Sequence, residues 1–581
     1  MSQESDTSFS SDSNILYKLV EDGDSDEADG SDMHGDPDTE DVYDAYDPMQ
    51  SDSDEENLIN DLNNIDIESD DTDVDVAASD PEDIRWSKKA KFDPDLPAFD
   101  GEFALKGDVD LPKSPSPYDF FNLFLTKEIV DHIVLQSNLY RTQQNFKQEP
   151  MSSVDFLRLL GFLFYSSLCK LPSKSDYWSA ACGLEIIMKN ITRDRISQLL
   201  RSLHFGDNAL LRESSDKIQS LIELFNDRCI SLVDQEKKIS IDEQMIPYKG
   251  NAVPKNYKQY MPNKPVKRGF RLWTVSGVSA YTYHITLYKG AKSCESAAQM
   301  RALISTTALS TMATCVRRRG DKDYEKLVER HDDTARCGQS GMIVLDLMKG
   351  IKRGSHVFVD NYFASLPLLR EMTSLGYGLT CTFRSNRIKG CPIKSEKIMK
   401  KYPRGYFDYV TSNDGKIIVV AWQDRKRVLL GSNHVGIDPM VTLSRWSKEE
   451  QQKINVDGPQ IVKMYNKHKG GVDSVDMLCA LHPIPFRSKK WYMRIAWRVF
   501  DLMLINSWVL WRRVAGDEDT NWRNSRLFYF KMAVASMMLN NPKTIERKMM
   551  KDSRQLSDIH HRNQTRLKSI STNQEEEHEG N

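Results

Sequence analysis

Thirty of the first 83 side chains are acidic and a single one, Lys18, is basic. A segment so charged and so poor in apolar residues cannot bury enough surface to offset the entropy of folding, so residues 1–83 are expected to be a disordered acidic arm. Whatever folds must come from residues 84–581, enough chain for roughly three domains at about 150 residues each. Those residues carry 78 basic and 54 acidic side chains, a net of +24, although the whole chain sums to −5. A body this basic points to a polyanionic partner, nucleic acid above all. A solvated surface that merely happens to be basic would have the same composition.

Several classes are excluded. The first dozen residues are rich in Ser, Asp and Glu with no apolar run, so no secretory signal is expected. The most apolar stretch, Trp491 to Trp511, carries Arg494, Arg498 and Asp501 where a bilayer core would lie, which argues against a membrane span. Nine cysteines are scattered without a CxxC or Cys/His pattern of zinc spacing, and their odd number suggests reduced thiols in cytosol or nucleus.

Within the arm, serines precede acids at Ser25-Asp26-Glu27 and at Ser51-Asp52-Ser53-Asp54-Glu55-Glu56. Phosphorylation there would deepen the negative charge, and the arm could serve as a contact segment for host proteins. The sign flips at Arg85-Trp86-Ser87-Lys88-Lys89-Ala90-Lys91, a nuclear-import signal or simply the start of the basic body. Residues 84–117 read as a basic, proline-rich linker. From 118 to 237 apolar residues recur at helical spacing, as in Phe156, Leu159, Leu160 and Leu163. Residues 238–384 read as a mixed α/β sheet: strands at Lys238–Asp242, Phe270–Val275 and Tyr281–Tyr288, a helix at Gly341–Lys349, a strand at Val357–Val359, a further helix, and a strand at Leu379–Phe383. A β-rich insertion is expected over 385–459, and helical character returns from 460. Trp497, Phe500, Leu504 and Trp508 have core-like spacing on a long helix. Residues 546–581 form a polar tail.

Four acids stand where an apolar strand or a glycine-marked helix start would present them. Asp242 follows Ile239 and Ile241, and Asp360 ends Val357-Phe358-Val359. Asp473 and Asp476 follow Gly470-Gly471 at i, i+3 spacing, on one helical face. Carboxylates gathered from separate elements repel unless a cation lies between them, and oxygen-only ligands select Mg²⁺ or Mn²⁺. Two such ions suit phosphodiester chemistry. Spacing alone equally allows an edge strand at Asp242, a turn at Asp360-Asn361 and a helix cap at Asp473.

The blocks Ile241-Asp242-Glu243-Gln244, Asp360-Asn361-Tyr362-Phe363-Ala364-Ser365, and Tyr465-Asn466 with Lys469-Gly470-Gly471-Val472-Asp473-Ser474-Val475-Asp476 together resemble the signature of piggyBac-type transposases and their domesticated derivatives. The likeness runs from about Pro117 to Ala535. It includes Asn263-Lys264-Pro265 with Arg268-Gly269, Arg384-Ser385-Asn386-Arg387, and Lys489-Lys490-Trp491. The resemblance implies a ribonuclease-H-like core over 238–384 and 460–482, interrupted by the 385–459 insertion. It also implies a helical dimerisation and DNA-binding domain built from 118–237 and 483–545. Asp242, Asp360 and Asp473 match the family's catalytic aspartates and Asp476 its additional acidic position, which implies a site for two Mg²⁺ or Mn²⁺ ions. The implied reaction is cleavage at a transposon end, hairpin formation by the freed 3′ hydroxyl, and joining to a TTAA target, by a nuclear homodimer on double-stranded DNA. Lys264, Arg268, Arg384 and Arg387 are the expected phosphate contacts, beside a second basic cluster at Arg317–Arg319. Many members end in a Cys/His-rich zinc domain, but here no cysteine lies beyond Cys479 and His560-His561 alone cannot build one. That departure keeps open a transposon-derived DNA-binding or chromatin protein without the reaction.

Overall fold

The computed structural model describes residues 84–107, 109–211, 213–250, 253–262, 264–290, 337–447, 449–514 and 526–551. The acidic arm, Asn263, the Arg317–Arg319 cluster and His560-His561 lie outside the described residues.

In chain order the strands are β1 (Trp86–Ser87), β2 (Ala104–Leu105), β3 (Val233–Asp234), β4 (Lys238–Pro247), β5 (Lys258–Tyr260), β6 (Arg268–Gly277), β7 (Thr282–Leu287), β8 (His356–Val359), β9 (Gly378–Thr382), β10 (Phe407–Ser412), β11 (Ile418–Gln423), β12 (Arg427–Ser432), β13 (Val441–Ser447) and β14 (Gln452–Gly458). Among the described residues ten strands form one mixed sheet in the order β1-β10-β11-β12-β9-β8-β4-β6-β5, with β7 also pairing with β6. Only β4, β8 and β9 run parallel to one another. The strands read in 385–459 continue this sheet, because β12 pairs antiparallel with β9 through Leu430–Thr382 and Ser432–Thr380. The remaining two, β13 and β14, make a separate hairpin.

The helices that matter below are α1 (Pro117–Asn122), α2 (Lys127–Gln143), α3 (Ser153–Leu168), α4 (Glu185–Met188), α5 (Arg193–Ser202), α6 (Asp216–Leu232), α7 (Gly338–Leu347), α8 (Leu366–Ser374), α9 (Glu396–Met399), α10 (Gln460–His468), α11 (Gly471–Leu481), α12 (Tyr492–Val514) and α13 (Leu527–Asn540). Reciprocal capping boxes start two of them, Ser116 with Asp119 at α1 and Ser152 with Asp155 at α3. Helix α12 runs 23 residues without Gly or Pro and buries Trp497, Phe500 and Leu504. Segments before and after the sheet pack together. A methyl group at Gly161 of α3 would come within 3.0 Å of Met538 Cβ on α13, and the His204 imidazole meets the Tyr492 hydroxyl at 2.7 Å.

Strand alternation divides the core between the two faces of the sheet. Ile239, Ile241, Val357, Val359, Leu379 and Cys381 belong to the large cluster shared with the helices. Phe358, Val420, Trp422 and Leu430 belong to a smaller one with Leu443, Val456, Val462 and Tyr465, under β13–β14 and α10. The proline-rich segment before α1 is docked on this body. Its Trp86 pairs with Ser412 at the sheet edge, Leu105 pairs with Val233, and Lys88 reaches Asp408 at 2.9 Å. Among the described residues no helix is long and apolar enough to cross a membrane.

Candidate active site

Register places the first two acids side by side. Ile241 of β4 lies opposite Val359 of β8 in the parallel pair, so Asp242 and Asp360, one residue on, are neighbours where β8 ends. Adjacent strands lie about 4.8 Å apart. Both side chains are half-buried. Burial, then the neighbouring Glu243, holds each carboxyl above its ordinary range, and Asp360 adds to the push on Asp242. The turn alternative for Asp360 is also present locally: its Oδ1 accepts the Tyr362 N–H at 2.9 Å. That bond fixes the carboxylate at the strand's end.

The third acid arrives by helix docking. The Ser240 hydroxyl, on the same face of β4 as Asp242, accepts the Val472 N–H at 3.1 Å. A Cβ at Gly471 would stand 2.6 Å from both the Gly277 carbonyl oxygen and Ser240 Oγ. Only glycine lets α11 approach β4 this closely, and Asp473 lies in the first turn of that docked helix. Asp473 does not cap the helix, since the N-cap is Gly470. Gly471→Ala is therefore expected to destabilise the protein by about 1–3 kcal/mol and to displace Asp473. Urea unfolding checks the first effect, with an unchanged midpoint as the contrary result.

The acids surround one cation. Lys264 Nζ pairs with Glu243 Oε1 at 3.0 Å, with the Glu243 side chain 8% exposed. Burial works against the Lys264 charge, but Asp242, Glu243 and Asp473 together hold the ammonium above its ordinary range. Asp476 is tied to Arg498 of α12 at 3.1 Å, and burial still pushes its carboxyl up to about 6. Among the described residues no three His, Cys, Asp or Glu side chains already form a group able to hold a metal ion. The donors that could do so are Asp242, Asp360 and Asp473, with Asp476 behind them. Their oxygen-only chemistry and mutual repulsion suit a hard divalent cation.

The expected phosphate contacts divide. Lys264 turns inward to the acids. The Arg268 guanidinium lies 5.2 Å from the Tyr260 ring centroid. Arg384 donates to the Asn361 side chain, just past the end of β8, at 3.2 Å, and Arg387 donates to Ser340 Oγ of α7 at 3.4 Å. Beside Asp360 opens a cleft of about 420 Å³ whose lining includes Asn361, Trp422, Arg445, Tyr465 and Lys469. Sequence reasoning missed Trp422 and Arg445 at this site, and missed Arg498, whose only signal was a charge inside an apolar helix.

A family model described as Transposase IS4 matches residues 116–508, and the chain belongs to that transposase family. Within it, its likeness is to piggyBac-type members. It is 29% identical over 403 residues to PiggyBac transposable element-derived protein 3 of Homo sapiens, covering 68% of this chain and 61% of that protein. It is 27% identical over 435 residues to the human PiggyBac transposable element-derived protein 2, covering 73% of this chain and 66% of that one. Each match thus spans less than two thirds of the relative. A cryo-EM structure of a piggyBac transposase synaptic complex with hairpin DNA superposes with a TM-score of 0.57 at 19% identity, covering 78% of this chain and 87% of that one. The two share a fold.

Proposed function

We propose that this chain is a piggyBac-type DNA transposase whose ribonuclease-H-like core cleaves DNA ends and joins them to TTAA targets. The observation that supports the reading is the register that makes Asp242 and Asp360 neighbours on two parallel strands, with Asp473 in the first turn of α11, the helix docked on β4 through Ser240. Asp242, Asp360 and Asp473, with Asp476 in support, would hold two Mg²⁺ or Mn²⁺ ions. When bound, such ions activate an attacking oxygen and stabilise the leaving one. The protein's own part is positioning. Gly471 and Ser240 set the approach of the third acid, Asn361 and Arg384 brace the second, and the cleft beside Asp360 receives the substrate strand. Double-stranded DNA is the partner, a homodimer the working unit and the nucleus the compartment.

The test is an excision assay with candidate terminal-repeat DNA, with and without Mg²⁺. Metal-dependent release of the element supports the reading. The second reading, a domesticated DNA-binding or chromatin protein, is favoured by relatives that carry the description transposable element-derived. It expects duplex binding without cleavage in either condition.

The charge split gives a further expected outcome. Removing residues 1–83 takes away 30 acids and one lysine, so duplex DNA should bind the remaining chain more tightly at low salt, with affinity falling steeply as salt rises. A filter-binding titration that finds equal affinity would mean the arm does not shield the basic body.

A further inference from the structure

At the opposite end of the same strands lies a cluster of bases that the proposed reaction does not use. His356 opens β8 directly opposite Lys238, which opens β4. The His356 ring lies 4.1 Å from that of His434, centroid to centroid, and the His468 ring lies 5.2 Å from Phe358. Lys237 precedes Lys238, and Lys467 precedes His468 at the end of α10. His468 is only 3% exposed, yet among the described residues neither of its ring nitrogens has a hydrogen-bond partner, and His356 Nδ1 has none. Buried polar atoms are nearly always satisfied, so three orphaned ring nitrogens in one place call for a missing partner. The charges around them share one sign. Burial and then Lys237 and Lys238 press on His356, while burial and then Lys238 and Lys467 press on His468, with no carboxylate among the described residues acting on either.

We propose that this cluster is a binding site for a phosphate oxyanion. Lysine offers donors only, and an imidazole presents one N–H when neutral and two when protonated, so the lysines and the protonated rings together face an acceptor-rich partner. A phosphate, with several acceptor oxygens and up to about two negative charges, accepts from these N–H groups and favours the protonated rings. Lys238 and Asp242 are four residues apart on one face of β4, about 13 Å at 3.3 Å per residue. The α10–α11 junction, held on Ser240 through Val472, stands between them. An anion here is therefore a second phosphate, distinct from one undergoing chemistry at the acids. Two sources share this chemistry: a backbone phosphate of bound DNA, or a free phosphate compound.

The experiment uses the full chain with inorganic phosphate as probe. Thermal unfolding is compared in sodium phosphate and sodium chloride at matched ionic strength, for wild type, His468→Phe and the exposed-site variant Lys467→Gln. Phosphate should raise the wild-type midpoint by about 2–4 °C over chloride, and both variants should lose most of that rise. His468→Phe keeps the ring against Phe358 and removes both orphaned nitrogens; should it fail to fold, Lys467→Gln carries the test. Duplex DNA binding is then titrated against salt for wild type and the Lys238→Gln/Lys467→Gln double variant. A slope reduced by about 2 would assign the phosphate to DNA, whereas an unchanged slope with the thermal shift present would assign it to a free phosphate compound. A wild-type midpoint the same in both salts, together with an unchanged slope, would overturn the site.

Discussion

Replacing Asp360 with asparagine is expected to lower DNA cleavage by several orders of magnitude while leaving folding and duplex binding intact. The substitution removes a charged oxygen ligand at nearly constant shape, and stabilisation of developing charge at such a site depends on the ions its carboxylates hold. Folding should survive for two reasons. Burial and Glu243 already hold the Asp360 carboxyl above its ordinary range, so a neutral side chain relieves repulsion. The asparagine carbonyl can also still accept the Tyr362 N–H that Asp360 Oδ1 receives at 2.9 Å. Binding should persist because phosphate contacts rest on distributed lysines and arginines. Cleavage of terminal-repeat DNA and thermal unfolding, run side by side with wild type, check both halves. Equal cleavage would remove Asp360 from the reaction, and an unfolded variant would reassign it to structure.

The largest effect on stability is expected at Lys531. Its Nζ lies 2.9 Å from Asp501 Oδ1 and donates to the His482 carbonyl at 2.7 Å, with the two side chains 2% and 9% exposed. The pair ties α13 to α12 and to the end of α11. Lys531→Met would leave buried Asp501 without its ion-pair partner, at a cost of about 3–5 kcal/mol. Converting both residues, Lys531→Met with Asp501→Leu, should recover much of that loss, because the desolvation penalty disappears with the charges. Urea unfolding of the three proteins decides it. A single variant as stable as wild type would show that the ion pair contributes nothing.

The positions of the acids were legible in the chain because each is marked locally. Apolar alternation ends on Asp242, a three-residue apolar strand ends on Asp360, and two glycines introduce Asp473. The strand at Val357–Val359 and the helix after Trp491 were legible for the same reason, being strongly patterned over their own length. What joins them was not. Lys264 meets Glu243 across a loop whose composition read as a DNA-facing basic patch, and Arg498 meets Asp476 from a helix that read only as apolar packing. Such pairs depend on which elements the sheet brings together, and no local pattern encodes that. The same limit applies to the segment around Trp86 and Leu105. Prolines and charges there suggested a linker, but short two-residue pairings hold it against the sheet edge and β3. Trp422 of β11 and Arg445 of β13 line the cleft together with Val462 and Tyr465 of α10, a meeting no local pattern marks.

Metal binding itself tests the site most directly, without requiring the right DNA. Mn²⁺ titrated into the full chain and followed by electron paramagnetic resonance should reveal two ions per chain held tightly enough to couple magnetically, and Asp242→Asn should lose at least one. Affinity should rise with pH, because burial and neighbouring acids make Asp242 and Asp360 keep their protons above the ordinary carboxylate range, and those protons must leave before the oxygens can bind metal. Wild type and Asp242→Asn binding the same number of ions with the same affinity at every pH would contradict the proposed metal centre.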